Sequence, residues 1–494
     1  VNRAGPAWRA HAGRLPLVAA FLVPAIVYVA SASSEPASWD TAELQGVPYI
    51  LGISHPTGFP FYVLIGYVWS HVVAIGSVAL RMNAMSGVAM AVTCAAAYGV
   101  AMVFGASRTV ALAATLWFAL TENIWSHASR AEAQDVAVMC CALAIYAFLR
   151  WMREGGAWFA GAFALCGLGM AAHPNALWIL PAFIVGAVIR RPRPPLRLVA
   201  LSLGLMVAGL MLYAYLPLRS AYVVAHGLDP TATFPGAGGG IFWNYNDPRT
   251  LPGLIAELSG SESETPVYFL ASLNPAHLAG ALQAFVATLR AQFGTFATIL
   301  MFVGLIVASR RDWRATLVLV IATTAALVFS VVYPNESDID RYRLLVSWLA
   351  VPALGALTPR WRGPSSSALT GALVLLLAIN AGVAFERGRL YFYHPASEGG
   401  RWVIDAVRPY VPPGSAIVTY WLDATSLAYG AYVDGSLPGR IVVSDNKFRL
   451  DLYRQWAAKR RVFVLVNPHD VQSVFEAHDY AKLDDYHELY EMQP

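Results

Sequence analysis

The chain has 494 residues, 57% hydrophobic and only 13% charged. Soluble domains carry about 25% charged residues, so an ordinary cytosolic enzyme is excluded. The charge is also unevenly placed: 26 of the 64 charged side chains fall in residues 386–494, and the net charge of +4 gives no reason to expect a nucleic-acid partner. The arithmetic predicts a polytopic α-helical membrane domain over 1–385 and a small water-soluble domain over 386–494.

In chain order, apolar runs predict membrane spans near 15–32, 83–104, 109–124, 136–150, 157–172, 174–189, 198–217, 292–309, 315–333, 344–358 and 367–385, by length and composition. A further apolar run covers 60–76. Arginines mark one set of loops: Arg3, Arg9 and Arg14, then Arg150 and Arg153, then Arg190, Arg191, Arg193 and Arg197, then Arg310, Arg311 and Arg314, then Arg360 and Arg362. The positive-inside bias makes these cytoplasmic, with the N-terminus. The outer loops are then 33–82, 125–135, 218–291 and 334–343, and they collect most of the membrane domain's acids. An even number of crossings must separate the N-terminus from Arg150, yet five apolar runs occur there. The run that does not cross is 60–76, predicted as a re-entrant or juxtamembrane element on the outer face. About eleven spans remain. Arg81 and Asn83 fall outside, and residues 386–494 are exported. Cys94, Cys140, Cys141 and Cys166 all lie in apolar runs, with no metal spacing.

The first outer loop reads Ser38-Trp39-Asp40-Thr41-Ala42-Glu43-Leu44. On a short helix, Asp40 either caps the N-terminus or shares a face with Glu43. A carboxylate held at the membrane surface can act as a general base. His55-Pro56-Thr57-Gly58 follows as a rigid turn. Arg81 opens a span, where it either snorkels to headgroups or clamps a phosphate. The second outer loop carries Glu122, His127, Arg130, Glu132 and Asp135, and ionisable groups at membrane depth are functional candidates. His173-Pro174-Asn175 breaks two spans on the same side. Arg219 follows Tyr215-Leu216-Pro217. The long loop sets Gly236, Gly238, Gly239 and Gly240 before Phe242, Trp243 and Tyr245, then Glu257, Glu262 and Glu264; its aromatics suit sugar stacking or an interfacial belt. Asp340 and Arg341 sit in the last outer loop.

Over 386–494, strands are predicted at 416–421, 440–444 and 462–466, and helices at 401–409, 425–432 and 448–459. That alternation predicts a small α/β domain with a parallel sheet. Asp423, Asp445 and Asp470 each follow a strand, as site residues or helix caps.

Three stretches carry a family resemblance. Trp39-Asp40-Thr41-Ala42-Glu43, the run Leu51-Gly52-Ile53-Ser54-His55-Pro56-Thr57-Gly58-Phe59-Pro60, and Leu80-Arg81-Met82-Asn83-Ala84-Met85-Ser86 resemble the opening of a bacterial domain-of-unknown-function family. That family is related to an animal transmembrane protein O-mannosyltransferase acting on IPT/TIG domains. Its pattern is approximately Asp-Ser-Gly-Glu, Gly-x-x-His-Pro-Pro-Gly and Arg-x-Asn-x-x-Ser. Trp125, Ala131-Glu132-Ala133, Tyr215–Arg219 and Asn246–Arg249 extend the likeness over about 15–345. Thr41-Ala42, Thr57 and Gln134-Asp135 depart from it.

The resemblance implies a GT-C-like membrane fold (glycosyltransferase C-type, polyprenyl-phosphate-sugar dependent) in a bacterial inner membrane. It implies Asp40 as catalytic base with Glu43 beside it, Arg81 facing the lipid phosphate, and Glu132 in a second acidic site. His55, Asn83, Arg130, His173, Arg219, Asp340 and Arg341 complete the expected donor and substrate set. The expected activity moves a sugar, mannose first among the options, from a polyprenyl-phosphate donor to a protein or envelope-glycan acceptor on the outer face. No cofactor is required, and a divalent metal is compatible with the acids without being demanded. The alternative is a polytopic transporter or lipid-linked-sugar flippase. A transporter should place polar groups mid-span and show repeats; here the charges gather at one face and no repeat is visible, which favours the enzyme.

Overall fold

The structure is a computed structural model, described over residues 14–237, 240–260, 265–333, 336–361, 363–394, 399–466, 480–485 and 487–492. Arg3, Arg9, Gly238, Gly239, Glu262, Glu264, Arg362 and Asp470 lie outside the described residues. The first eight α-helices are α1 Leu15–Ala30, α2 Trp39–Ile50, α3 Pro60–Val72, α4 Val78–Val103, α5 Arg108–Ala119, α6 Glu122–Ala128, α7 Ala133–Glu154 and α8 Trp158–Ala172. Serine starts two of them: Ser77 Oγ accepts the Leu80 N–H ahead of α4, and Ser107 Oγ accepts the Val110 N–H ahead of α5, satisfying donors that a helix start leaves open.

Among the described residues, five helices are long and apolar enough to cross a bilayer: Val78–Val103, Ala133–Glu154, Leu196–Ala225, Pro275–Ser330 and Pro364–Phe392. Shorter apolar helices are Leu15–Ala30, Arg108–Ala119, Trp158–Ala172 and Pro174–Ile189. Leu196 is 82% exposed, Leu218 70% and Ile26 65%. Apolar exposure on this scale fits a surface solvated by lipid.

Two expected spans, 292–309 and 315–333, share one interrupted helix. The helix Leu278–Thr324 runs 47 residues, but Gly294 and Asp312 leave the helical conformation inside it. At 1.5 Å per residue a straight helix of that length would reach about 70 Å, more than twice a bilayer core. The break at Asp312 falls among Arg310, Arg311 and Arg314, where the loop between 292–309 and 315–333 was expected. The run 344–358 divides into two short helices, Leu344–Trp348 and Ala350–Gly355, both largely buried, with Leu349 between them still helical in its dihedrals. Pro352 explains the interruption, because it has no N–H to offer the Trp348 carbonyl.

The arginine loops converge at one end of the bundle. Arg153 stands 3.8 Å from Asp312. Arg190 donates to the Met152 carbonyl, and Arg311 donates to the carbonyls of Phe104 and Thr358. Ser107 N–H meets Thr358 Oγ1 at 3.2 Å. The acid-bearing loops converge at the other end, where α2, α3 and α6 lie.

The C-terminal part forms a five-stranded sheet, β1 Ala416–Thr419, β2 Ile441–Ser444, β3 Val462–Val466, β4 Tyr480–Lys482 and β5 Glu488–Glu491, in the order β2-β1-β3-β5-β4. β1, β2 and β3 are parallel, and β5 and β4 add antiparallel strands. The antiparallel edge was not expected from the sequence. This sheet unit is joined closely to the acid-bearing end. Arg401 bridges Glu35 at 2.7 Å and Asp434 at 2.6 Å. Ser426 Oγ donates to the Ala37 carbonyl, and Tyr429 Oη accepts the Ala79 N–H.

Candidate active site

α2 supplies both carboxylates. Ser38, not Asp40, is its N-cap, so Asp40 lies in the first turn with Glu43 one turn later. The capping role considered for Asp40 is therefore not the one adopted, and the shared face is. Both carboxylates reach the same imidazole. Glu43 is fully buried; it accepts Ser54 Oγ–H at 2.7 Å, the His55 backbone N–H at 2.8 Å, and His55 Nδ1 in a short contact. His55 Nε2 then lies 3.8 Å from Asp40 Oδ2.

The turn that presents His55 is tight. Gly58 N–H closes onto the His55 carbonyl at 2.8 Å. Gly58 has φ +75°, and a Cβ there would meet Leu216 Cδ2 at 2.6 Å. Only glycine meets both demands.

Arg341 joins this group from the far side of the chain. Its Nη1 stands 3.7 Å from Asp40 Oδ2 and 4.0 Å from Glu132 Oε2. Glu132 is the N-cap residue of α7 and nearly buried, with its backbone N–H on Ser86 Oγ. Arg130 Nε lies 3.0 Å from Glu132 Oε1, and its Nη2 lies 3.4 Å from His127 Nδ1. Three acids, Asp40, Glu43 and Glu132, are thus interleaved with His55, Arg341 and Arg130, and this pairing of opposite charges is what allows their burial.

Electrostatics follow from this order. Burial alone would discourage charge on His55, but Glu43 and Asp40 overcome it and lift the imidazolium to about 9. Burial likewise works against the Asp40 carboxylate, yet His55 and Arg341 hold it below its ordinary value. Asp40 is therefore ionised and His55 protonated at neutral pH. His127 is pushed down by burial and by Arg130 and Arg341. His173 is depressed to about 3 by burial, with Arg341 and His55 nearby. It stacks on Phe59 at 5.4 Å and caps the turn before Asn175, so it is a neutral wall of the site.

Other candidates go elsewhere. The Arg81 guanidinium donates to the carbonyls of Ser70, Ile75 and Gly76, which closes the turn between α3 and α4. Asn83 is buried, ties Ser33 to Gln45, and accepts the Ala131 N–H. Arg219 donates to the carbonyls of Ile50 and Leu51 at the end of α2. Asp340 points outward and pairs with Arg343. The structure brings Asp40, Glu43, His55, Arg130, Glu132, His173 and Arg341 together, and keeps Arg81, Asn83, Arg219 and Asp340 in backbone-tying or exposed positions around them.

A cavity of about 680 Å³ opens beside Asp40, lined among others by His55, Tyr245, Trp421, Asp445 and Lys447. Two of these, Trp421 and Lys447, were not read as site residues. Trp421 begins the helix Trp421–Tyr432 after β1, and its indole N–H donates to Asp40 Oδ1 at 2.9 Å. Tyr245 meets the Trp421 ring edge-on at 5.8 Å. Lys447 lies in the turn after β2. Asp445 is held by Tyr453 and Arg449, whereas Asp423 pairs with His487 inside the C-terminal unit. The available signal was the C-terminal edge of a parallel sheet, where open α/β sheets gather ligands. Among the described residues, no three His, Cys, Asp or Glu side chains form a metal-binding group.

Fold and site define the class: a polytopic α-helical protein, five of its described helices long and apolar enough to cross a membrane, with its charged site at one end of the bundle and a small α/β unit against it. The resemblance in the opening motifs is borne out by comparison. Residues 40–195 match the family model of the Protein O-mannosyl-transferase TMEM260 N-terminal domain. Protein O-mannosyl-transferase TMEM260 of Mus musculus is 26% identical over 271 residues, which cover 53% of this chain and 36% of that protein. The chain thus matches about a third of that relative's length. Among solved structures, ArnT from Cupriavidus metallidurans in the apo state superposes with TM-score 0.55 at 13% identity, over 98% of each chain. The same protein bound to undecaprenyl phosphate gives TM-score 0.50, also at 13% identity, over 99% of this chain and 98% of that one. At that identity the likeness is one of fold.

Proposed function

We propose that the chain is an integral-membrane glycosyltransferase that moves a sugar from a polyprenyl-phosphate carrier to an acceptor hydroxyl. The observation that carries this reading is the Asp40 carboxylate, ionised, 3.7 Å from Arg341 and open to the cavity. An acceptor hydroxyl entering the cavity gives its proton to Asp40 as it attacks the sugar. Negative charge grows on the departing lipid phosphate, and Arg341, seconded by Arg130, is the fixed donor set that stabilises it. Glu43 holds His55 between itself and Asp40, so the base keeps its charge.

The TMEM260 relative supports mannose as the sugar and a protein as acceptor, with an envelope glycan as the other option; the undecaprenyl-phosphate-bound ArnT supports a lipid-linked donor. The arginine-bearing end is read as cytoplasmic, with the N-terminus. The Asp40 end and residues 386–494 then lie outside a bacterial inner membrane, 1–385 being the catalytic membrane domain.

Asp40→Asn tests the reading in membranes given labelled polyprenyl-phosphate mannose. Loss of a general base lowers transfer by about 10²–10⁴-fold, with normal insertion. Transfer at the wild-type rate would remove Asp40 from the chemistry.

A further inference from the structure

The two oxygens of Asp40 have different surroundings. Oδ2 stands 3.8 Å from His55 Nε2 and 3.7 Å from Arg341 Nη1, beyond ordinary hydrogen-bond length. Oδ1 accepts the Trp421 indole N–H at 2.9 Å. The Trp421 ring has little freedom. It meets His55 edge-on at 5.8 Å and Tyr245 at 5.8 Å. Its helix follows β1 directly and is pinned by Ser426 to the Ala37 carbonyl and by Tyr429 to the Ala79 N–H.

We propose that Trp421 is a positioning residue of the transfer reaction: its N–H fixes the plane of the Asp40 carboxylate and occupies Oδ1, leaving Oδ2 to receive the acceptor's proton, so the α/β unit completes the catalytic site. This rests on the reading of Asp40 as the base. In the step itself the acceptor O–H bond breaks and its proton passes to Oδ2. The acceptor oxygen bonds to the anomeric carbon, and the carbon–oxygen bond to phosphate breaks, its electron pair staying on the lipid phosphate. A carboxylate free to rotate would meet the hydroxyl in the right orientation only part of the time, and misplacement of a reacting group is expensive in rate.

Trp421→Phe keeps an aromatic ring and removes only the N–H. The full-length variant in liposomes, supplied with labelled polyprenyl-phosphate mannose, should lose roughly 10–100-fold in kcat with donor KM unchanged. The acid limb of its pH profile should move to higher pH, because a bond that favoured the carboxylate is gone. Ser426→Ala loosens the same helix without touching Asp40 and should leave that limb in place. A readout independent of turnover is the ¹⁹F resonance of 5-fluorotryptophan at 421, which should follow the Asp40 titration and lose it in Asp40→Asn. Wild-type kcat and an unmoved limb in Trp421→Phe, an equal shift in Ser426→Ala, or a flat resonance would overturn the positioning role. Those outcomes leave Asp40 as the base if Asp40→Asn is inactive; an active Asp40→Asn removes the base and the inference with it.

Discussion

Asp40 and Glu43 are the same kind of acid one helical turn apart, and their neighbours divide their work. Glu43 is sealed behind Ser54 and His55, while Asp40 faces the cavity. The division has a pH signature. The His55 pKa is raised from 6.5 to about 9, so the stability its pairing contributes is fully present below pH 6.5 and is lost as pH climbs through 9. Glu43 is the foremost partner behind that rise. Melting in detergent should therefore show Tm falling between pH 6.5 and 9 in the wild type, and a shallower fall in Glu43→Gln. Equal slopes would mean that His55 is not charged by Glu43. The local group of Asp40, Glu43 and His55 was legible because all three lie within sixteen residues. Arg219 was not, since its partners are backbone carbonyls 168 and 169 residues away, and a carbonyl leaves no mark in a sequence.

Among the elements, the turn from α3 to α4 shows how an arginine at the acid-bearing end can be structural. Arg81 collects three carbonyls at the end of α3 and just beyond it, groups that a helix C-terminus leaves without partners. Arg81→Ala should lower stability by about 1–2 kcal/mol and leave the donor KM where it was. A raised donor KM with an unchanged Tm would assign Arg81 to the lipid phosphate instead. Strands and helices of the α/β unit followed hydrophobic runs short enough to read directly: 462–466 matches β3, and 440–444 matches β2 within a residue. The run 344–358 divides into two short helices because Pro352 leaves the Trp348 carbonyl without its helical donor, while Leu349 between them keeps helical dihedrals and the segment stays largely buried. The seat of the long loop 218–291 against the end of α2 was also hidden. Gly52 lets the Phe242 carbonyl approach so closely that a Cβ would lie 1.7 Å from it, and only the folded backbone reveals that need.

For the whole molecule, sorting of charge by end was visible in the sequence, and the contacts of Arg153, Arg190 and Arg311 give it spatial form. The proposed orientation makes a direct prediction. The native cysteines are all buried, so added thiols label against little background. Ala74→Cys, in the exposed turn after α3, should react with a membrane-impermeant reagent in intact cells, and Arg193→Cys only after permeabilisation. The reverse pattern would invert the protein in its membrane.

The bond between Trp421 and Asp40 joins positions 381 residues apart. A chain is made from its N-terminus, so the carboxylate and the bundle around it exist before residue 421 has been translated. The acid acquires its last hydrogen-bond partner only when the α/β unit has folded and docked on α2. On the proposed reading, readiness for chemistry in this way waits on translation of the α/β unit, and a nascent chain already in the membrane still holds Asp40 without its Trp421 partner.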